Sequence, residues 1–175
     1  MSRWLRLALA AQVAFFVIWG GRLLASHRDA DVVWLATEPV DPRDLLRGNY
    51  VALRYPIESP AVPNCAGVLA ARPSIVYVRL APARTPVATA EGPVAVFDAI
   101  DCRSEPPSAG GDERWIGGRF IPDRQGRIEY GIERFYVGET DTLRDARSGT
   151  VVAKVRINRD LQARIVGLVR LSASR

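Results

Sequence analysis

The chain has 175 residues, 48% of them hydrophobic and 25% charged. That balance excludes a disordered chain and allows one domain with a buried core plus an appendage. The net charge of +5 argues less for an anionic partner than it suggests: Arg3, Arg6, Arg22 and Arg28 flank one apolar run, and without them 20 basic residues face 19 acidic ones, leaving +1. A nucleic-acid partner is not expected from that balance.

The chain opens on the apolar run, residues 7–21 (LALAAQVAFFVIWGG), which carries no charge. As a helix its 15 residues reach about 22 Å, against a hydrocarbon core of roughly 30 Å. Snorkelling of Arg6 and Arg22 to the two interfaces closes the gap, with Trp4 and Trp19 near the interfacial zones. The expectation is a single transmembrane helix forming an anchor over residues 1–28, with the short basic N-terminus inside and residues 29–175 outside the cytoplasm. One alternative is a cleaved secretory signal, but Leu23 and Leu24 stand before Ala25 and Ser26 where a small residue is wanted. Another is a helix buried in a soluble fold.

Past residue 31 the dominant period is two. Strands are predicted at 32–36 (VVWLA), 50–57, 74–80 (SIVYVRL), 94–100 (VAVFDAI), 115–121, 127–137 with a break at Gly131, 150–158 (TVVAKVRIN) and 161–171 (LQARIVGLVRL), each rich in β-branched or aromatic residues. Val151, Ala153, Val155 and Ile157 share one face, and Lys154 and Arg156 the other. Residues 122–126 (PDRQG) and 158–160 (NRD) read as turns. One helix is expected at 139–147 (ETDTLRDAR), with acids early and Arg late. The fold class is therefore mainly β: one membrane helix, then an antiparallel sandwich or barrel of about eight strands with one short helix.

Cys65 and Cys102 fit no zinc pattern, and His27 is the only histidine, so no metal or cofactor is expected. Outside the cytoplasm the two cysteines suit a disulfide. The alternative is a pair of unbonded thiols.

The most distinctive string is VDPRDLLRGNYVALRY at 40–55. Gly48, Asn49, Tyr50, Leu53 and Tyr55 resemble the signature of the GDYXXLXY family of small bacterial membrane-anchored proteins. The lead-in Asp41, Pro42, Arg43, Asp44 and Arg47 is similar to that family's, as is a second block containing Gly131, Glu133, Arg134 and Phe135. The resemblance runs from about residue 36 through most of the chain. It departs at Asn49, where the family has Asp; a turn-capping role survives that exchange and an acid or cation-binding role does not. The resemblance implies encoding beside multi-pass membrane proteins, and so a multi-pass membrane protein as partner; with the orientation expected from the basic N-terminus and the cysteine pair, the expected place is the bacterial inner membrane with the domain in the periplasm. It implies no reaction.

Catalysis has little to stand on. With one histidine beside the apolar run, a Ser-His-Asp or Cys-His site is not expected. The string from Pro42 to Val51 resembles a region of type I signal peptidases, but Val40 and Asp41 stand where the nucleophilic Ser belongs, and Lys154 falls on a polar strand face. Asp41 with Asp44, and Asp98 with Asp101, read as turn-capping pairs. An inward-facing Glu133 would need an Arg partner such as Arg43 or Arg47. The expected function is a non-enzymatic accessory protein on a multi-pass membrane partner. The alternatives are a small-ligand or glycan-binding module using Arg43, Arg47, Tyr50 and Arg134, and a non-catalytic, signal-peptidase-like β domain.

Overall fold

The structure is a computed structural model that describes residues 3–28, 31–39, 50–108, 113–122, 126–138, 143 and 146–172, with the side chains of Trp4 and residues 7–22 in the first helix. The chain divides into two compact units, Met1–Ala30 and Asp31–Arg175.

The first unit is one helix, α1 (Arg3–Arg28, 26 residues). Its good helix formers and the absence of proline carry it through Gly20 and Gly21. It is not a transmembrane helix of the kind expected: among the described residues no helix is long and apolar enough to cross a membrane. The charge-free run is only 15 residues, and snorkelling arginines do not supply the missing apolar length, because their stems carry a charge that must stay wet.

The second unit is all-β apart from short helical pieces. Its strands are β1 (Asp31–Ala36), β2 (Tyr50–Ala52), β3 (Ile75–Pro82), β4 (Val87–Thr89), β5 (Gly92–Val94), β6 (Phe97–Arg103), β7 (Arg114–Ile121), β8 (Arg127–Glu129), β9 (Arg134–Tyr136), β10 (Val151–Ile157) and β11 (Ala163–Arg170). Among the described residues they form four sheets, β1-β10-β11, β2-β9, β6-β3-β7-β8 and β4-β5, with every strand pair antiparallel. A parallel bridge between Trp34 and Val96 links the first sheet to the segment entering β6, and an antiparallel bridge between Thr89 and Leu171 ties the β4-β5 hairpin to the end of β11.

Eight strands in one sandwich or barrel is therefore corrected to eleven strands among the described residues. The expected strand 50–57 stops at Ala52: the N–H groups of Arg54 and Tyr55 donate to the side chains of Ser148 and Glu58 rather than to a neighbouring strand, and Pro56, with no N–H, opens a 3-10 turn (Pro56–Glu58). The break at Gly131 is present: this residue, at φ +78, separates β8 from β9. A helix that the period-two reading does not anticipate, α2 (Pro63–Ala70), starts with Pro at its first turn. The helix expected at 139–147 lies mostly outside the described residues, and Leu143, Ala146 and Arg147 are not helical.

The core is made by Val33 and Leu35 from β1, Val76 and Val78 from β3, Ile116 from β7, Ile128 from β8, and Val151, Ala153 and Val155 from β10, all essentially inaccessible to solvent. Gly118 is required by this packing. A Cβ there would sit 2.3 Å from Ile128 Cγ2 and 2.8 Å from the Tyr130 ring, so the bare backbone of β7 is what lets both side chains approach it this closely.

Cys65 and Cys102 are bonded and buried, joining α2 to β6 across a separation of 37 residues. Asn64 reinforces the junction by donating to the Cys102 carbonyl at 3.1 Å and to the Asp101 carboxylate. A helix of eight residues is marginal alone, and the disulfide fixes it to the sheet.

Candidate functional site

Two four-residue strings of one pattern, Tyr55-Pro56-Ile57-Glu58 and Tyr130-Gly131-Ile132-Glu133, build the interior beneath β2 and β9. In each, the Glu turns back and accepts the N–H of the Tyr three residues earlier: Glu58 Oε1 from Tyr55 at 2.8 Å, and Glu133 Oε1 from Tyr130 at 2.6 Å. Each Tyr hydroxyl then crosses to the other string. Tyr55 donates to the Ile132 carbonyl at 2.9 Å, and Tyr130 donates to the Ile57 carbonyl at 2.7 Å. The Leu53 N–H also donates to the Glu133 carbonyl at 2.8 Å. The arrangement is reciprocal, with each turn closed by its own Glu and locked by the other's Tyr. Buried backbone carbonyls need partners, and this lock supplies them from 77 and 73 residues away in sequence.

The lock sets the electrostatics of the site. Both hydroxyls titrate well above the ordinary phenol range, first because they are buried and second because Glu58 and Glu133 are near. Glu58 is a carboxyl with only 5% of its surface exposed. Burial pushes its pKa up to about 7, the Tyr55 N–H pulls it down, Glu133 pushes it up, and Arg127 and Arg54 pull it down. Arg127 Nη1 lies 3.3 Å from Glu58 Oε2. Glu133 Oε1 accepts the Tyr130 N–H, while Arg43 and Arg47, the expected partners of Glu133, lie outside the described residues.

If the lock acts as a unit, its two halves are coupled. Tyr55→Phe and Tyr130→Phe each leave a buried carbonyl unpaired, at about 1–3 kcal/mol. In a double-mutant cycle by urea unfolding, the double variant is expected to fall short of the summed single losses by more than about 0.5 kcal/mol. Simple additivity would show two independent hydrogen bonds.

The outer surface of the same region carries the second feature. Tyr50 of β2 is opposite Tyr136 of β9, Val51 opposite Phe135, and Ala52 opposite Arg134. The Tyr50 and Tyr136 rings are 5.9 Å apart, and the Arg134 guanidinium stands 5.5 Å over the Tyr50 ring. Tyr136 is 74% exposed. The two stretches singled out in the sequence, 50–55 and 130–137, are thus neighbours in space. Of the singled-out residues, Tyr50, Leu53, Tyr55, Gly131, Glu133, Arg134 and Phe135 meet here. Leu53 and Tyr55 are buried and structural, whereas Tyr50 and Arg134 reach the surface. Asp41, Pro42, Arg43, Asp44, Arg47, Gly48 and Asn49 lie outside the described residues. Lys154 is exposed and stands 5.4 Å over the Trp34 ring, a packing role for the residue that a Ser/Lys dyad would need as base. Among the described residues no group of three or more His, Cys, Asp or Glu side chains could hold a metal ion.

Glu58 and Arg127 escaped the sequence reading. The signal was present as the repeated Tyr-x-Ile-Glu, which a search for internal repeats of four residues would have found.

These features define a disulfide-bonded, all-β module whose two marked segments pair and interlock. The model of the family described as GDYXXLXY protein matches residues 12–168, and the chain belongs to that family. No curated protein and no solved structure matches the chain.

Proposed function

We propose that this protein is a non-enzymatic accessory subunit, held by α1 against the apolar helices of a multi-pass membrane protein, with its β unit outside the cytoplasm. The observation that carries this reading is the surface of α1. Leu7, Leu9, Val13, Phe15, Phe16, Val17, Ile18 and Trp19 are each more than half exposed. Residues 15–19 are consecutive, so at about 100° per residue they cover every side of the helix. A helix apolar all round is stable when something buries it. Its charge-free run is too short to cross a bilayer, which favours a protein surface as the cover. The buried disulfide supports an oxidising compartment.

A photo-crosslinking residue placed at Val13 or Ile18 is expected to capture a multi-pass membrane protein, and one at Tyr136 is not. Deleting residues 1–28 should abolish co-purification in detergent. A monomer that behaves identically with and without residues 1–28 would sink the proposal.

A second reading, a glycan-binding module, draws on the Tyr50, Arg134 and Tyr136 cluster, since exposed aromatic rings beside a guanidinium suit sugar faces and hydroxyls. Glycan-array binding lost in Tyr136→Ala would favour it, and an array without signal would end it.

A further inference from the structure

The outward face of the β1-β10-β11 sheet collects positive charge that nothing in the sheet balances. Register puts Val32 opposite Arg156 and Trp34 opposite Lys154 across β1 and β10, and Arg156 opposite Arg164 across β10 and β11. Residues directly opposite in an antiparallel pair share a face, so Trp34, Lys154, Arg156 and Arg164 lie together. The three cationic side chains are exposed. None of them forms an ion pair among the described residues. Two arginines directly opposite each other destabilise an isolated strand pair. An anion placed between them would offset that repulsion.

We infer that this face docks on the anionic phospholipid headgroups of a bilayer surface. The charge is complementary, and each Lys or Arg held near such a surface raises binding roughly fivefold. Two features favour a lipid surface over a nucleic acid. Trp34, part-exposed under the Lys154 ammonium at 5.4 Å, and Val32, 41% exposed, put an aromatic ring and an aliphatic side chain among the cations. That mixture suits the interfacial zone, where rings sit at headgroup level. Moreover, the chain without the α1 arginines is close to neutral, so it lacks the overall excess of basic residues that a nucleic-acid backbone calls for. The inference is independent of the partner proposed for α1.

The test uses the full-length protein with phosphatidylcholine vesicles, alone or mixed with phosphatidylglycerol, at low ionic strength. The readout is the ratio of the two partition constants, in which apolar binding by α1 cancels. The triple variant K154Q/R156Q/R164Q is expected to lower that ratio on the order of 100-fold, the product of three such contributions, and to leave partition onto neutral vesicles unchanged. The charge-preserving variant K154R/R156K/R164K should keep the wild-type ratio. A ratio that survives neutralisation would overturn the inference, because the attraction would then come from elsewhere in the chain. Loss of the ratio in the charge-preserving variant would overturn it too, and so would tighter binding to an oligothymidylate than to the mixed vesicles.

Discussion

Reducing the Cys65–Cys102 bond, or replacing both residues by Ala, is expected to lower the unfolding free energy by about 4 kcal/mol, from the loop entropy restored to the unfolded chain across a separation of 37 residues. For a domain of this size that corresponds to a fall in Tm of roughly 10 °C. The effect has a recognisable pattern. Cys65→Ala and Cys102→Ala remove the same bond, so each alone should do nearly all the damage of the pair, with a small extra loss for the volume of each buried sulfur. Dithiothreitol should destabilise the wild type and leave the double variant unmoved. A wild type indifferent to reductant would mean that α2 is held by packing and by Asn64 alone. The consequence for biology is direct: in a reducing compartment the protein would lose this contribution, which is why the disulfide bears on where the β unit resides.

Glu58 should make stability depend on pH across the neutral range. Its pKa rises from the usual 4.5 to about 7 on folding, chiefly through burial. The native carboxyl therefore holds its proton more tightly than the unfolded one does. The stability it contributes is complete below about pH 4.5, declines from there, and is lost as pH rises through about 7. The linked change is about 3 kcal/mol. Urea unfolding of the wild type should show that decline between acid and mildly alkaline pH. Glu58→Gln keeps an oxygen to accept the Tyr55 N–H and cannot ionise. It should match the wild type in acid, exceed it by about 2–3 kcal/mol in mild alkali, and show a flatter profile throughout. A wild type that gains stability with pH, or a Gln variant with the same slope, would show that Arg127, at 3.3 Å, fully compensates the buried charge. Either result bears on function, since a carboxyl poised near neutrality between two interlocked turns couples their integrity to the proton concentration outside the lock.

The family signature acquires a physical meaning from these observations. Tyr55, its last residue, is a lock: its ring is buried and its hydroxyl reaches the Ile132 carbonyl. Leu53, two residues earlier, is core. Tyr50, at the start of β2, stands at the surface beside Arg134 and Tyr136. The six residues from Tyr50 to Tyr55, β2 and the segment that follows it, thus present one ring at the surface and bury the other. A signature of this kind is as much about holding two distant segments together as about contacting a ligand.

What the sequence by itself determined was local. The alternation in β10 foretold which residues point inward, and Val151, Ala153, Val155 and Ile157 are buried while Lys154 and Arg156 are exposed, because a strand's two-residue period ties each side chain to a face without reference to any partner. Gly131 foretold the break between β8 and β9, because a positive φ is a property of one residue. Two expectations failed: the apolar run was too short for a membrane span, and the strand expected at 50–57 stopped at Ala52, where the following N–H groups turn to the side chains of Ser148 and Glu58. Only the tertiary structure decided the rest. It paired Tyr55 with Ile132 and Tyr130 with Ile57, joined Cys65 to Cys102, and brought Arg164 opposite Arg156. Those contacts depend on strand order and register, which are set by how the whole core packs, and no single window of the chain contains that information.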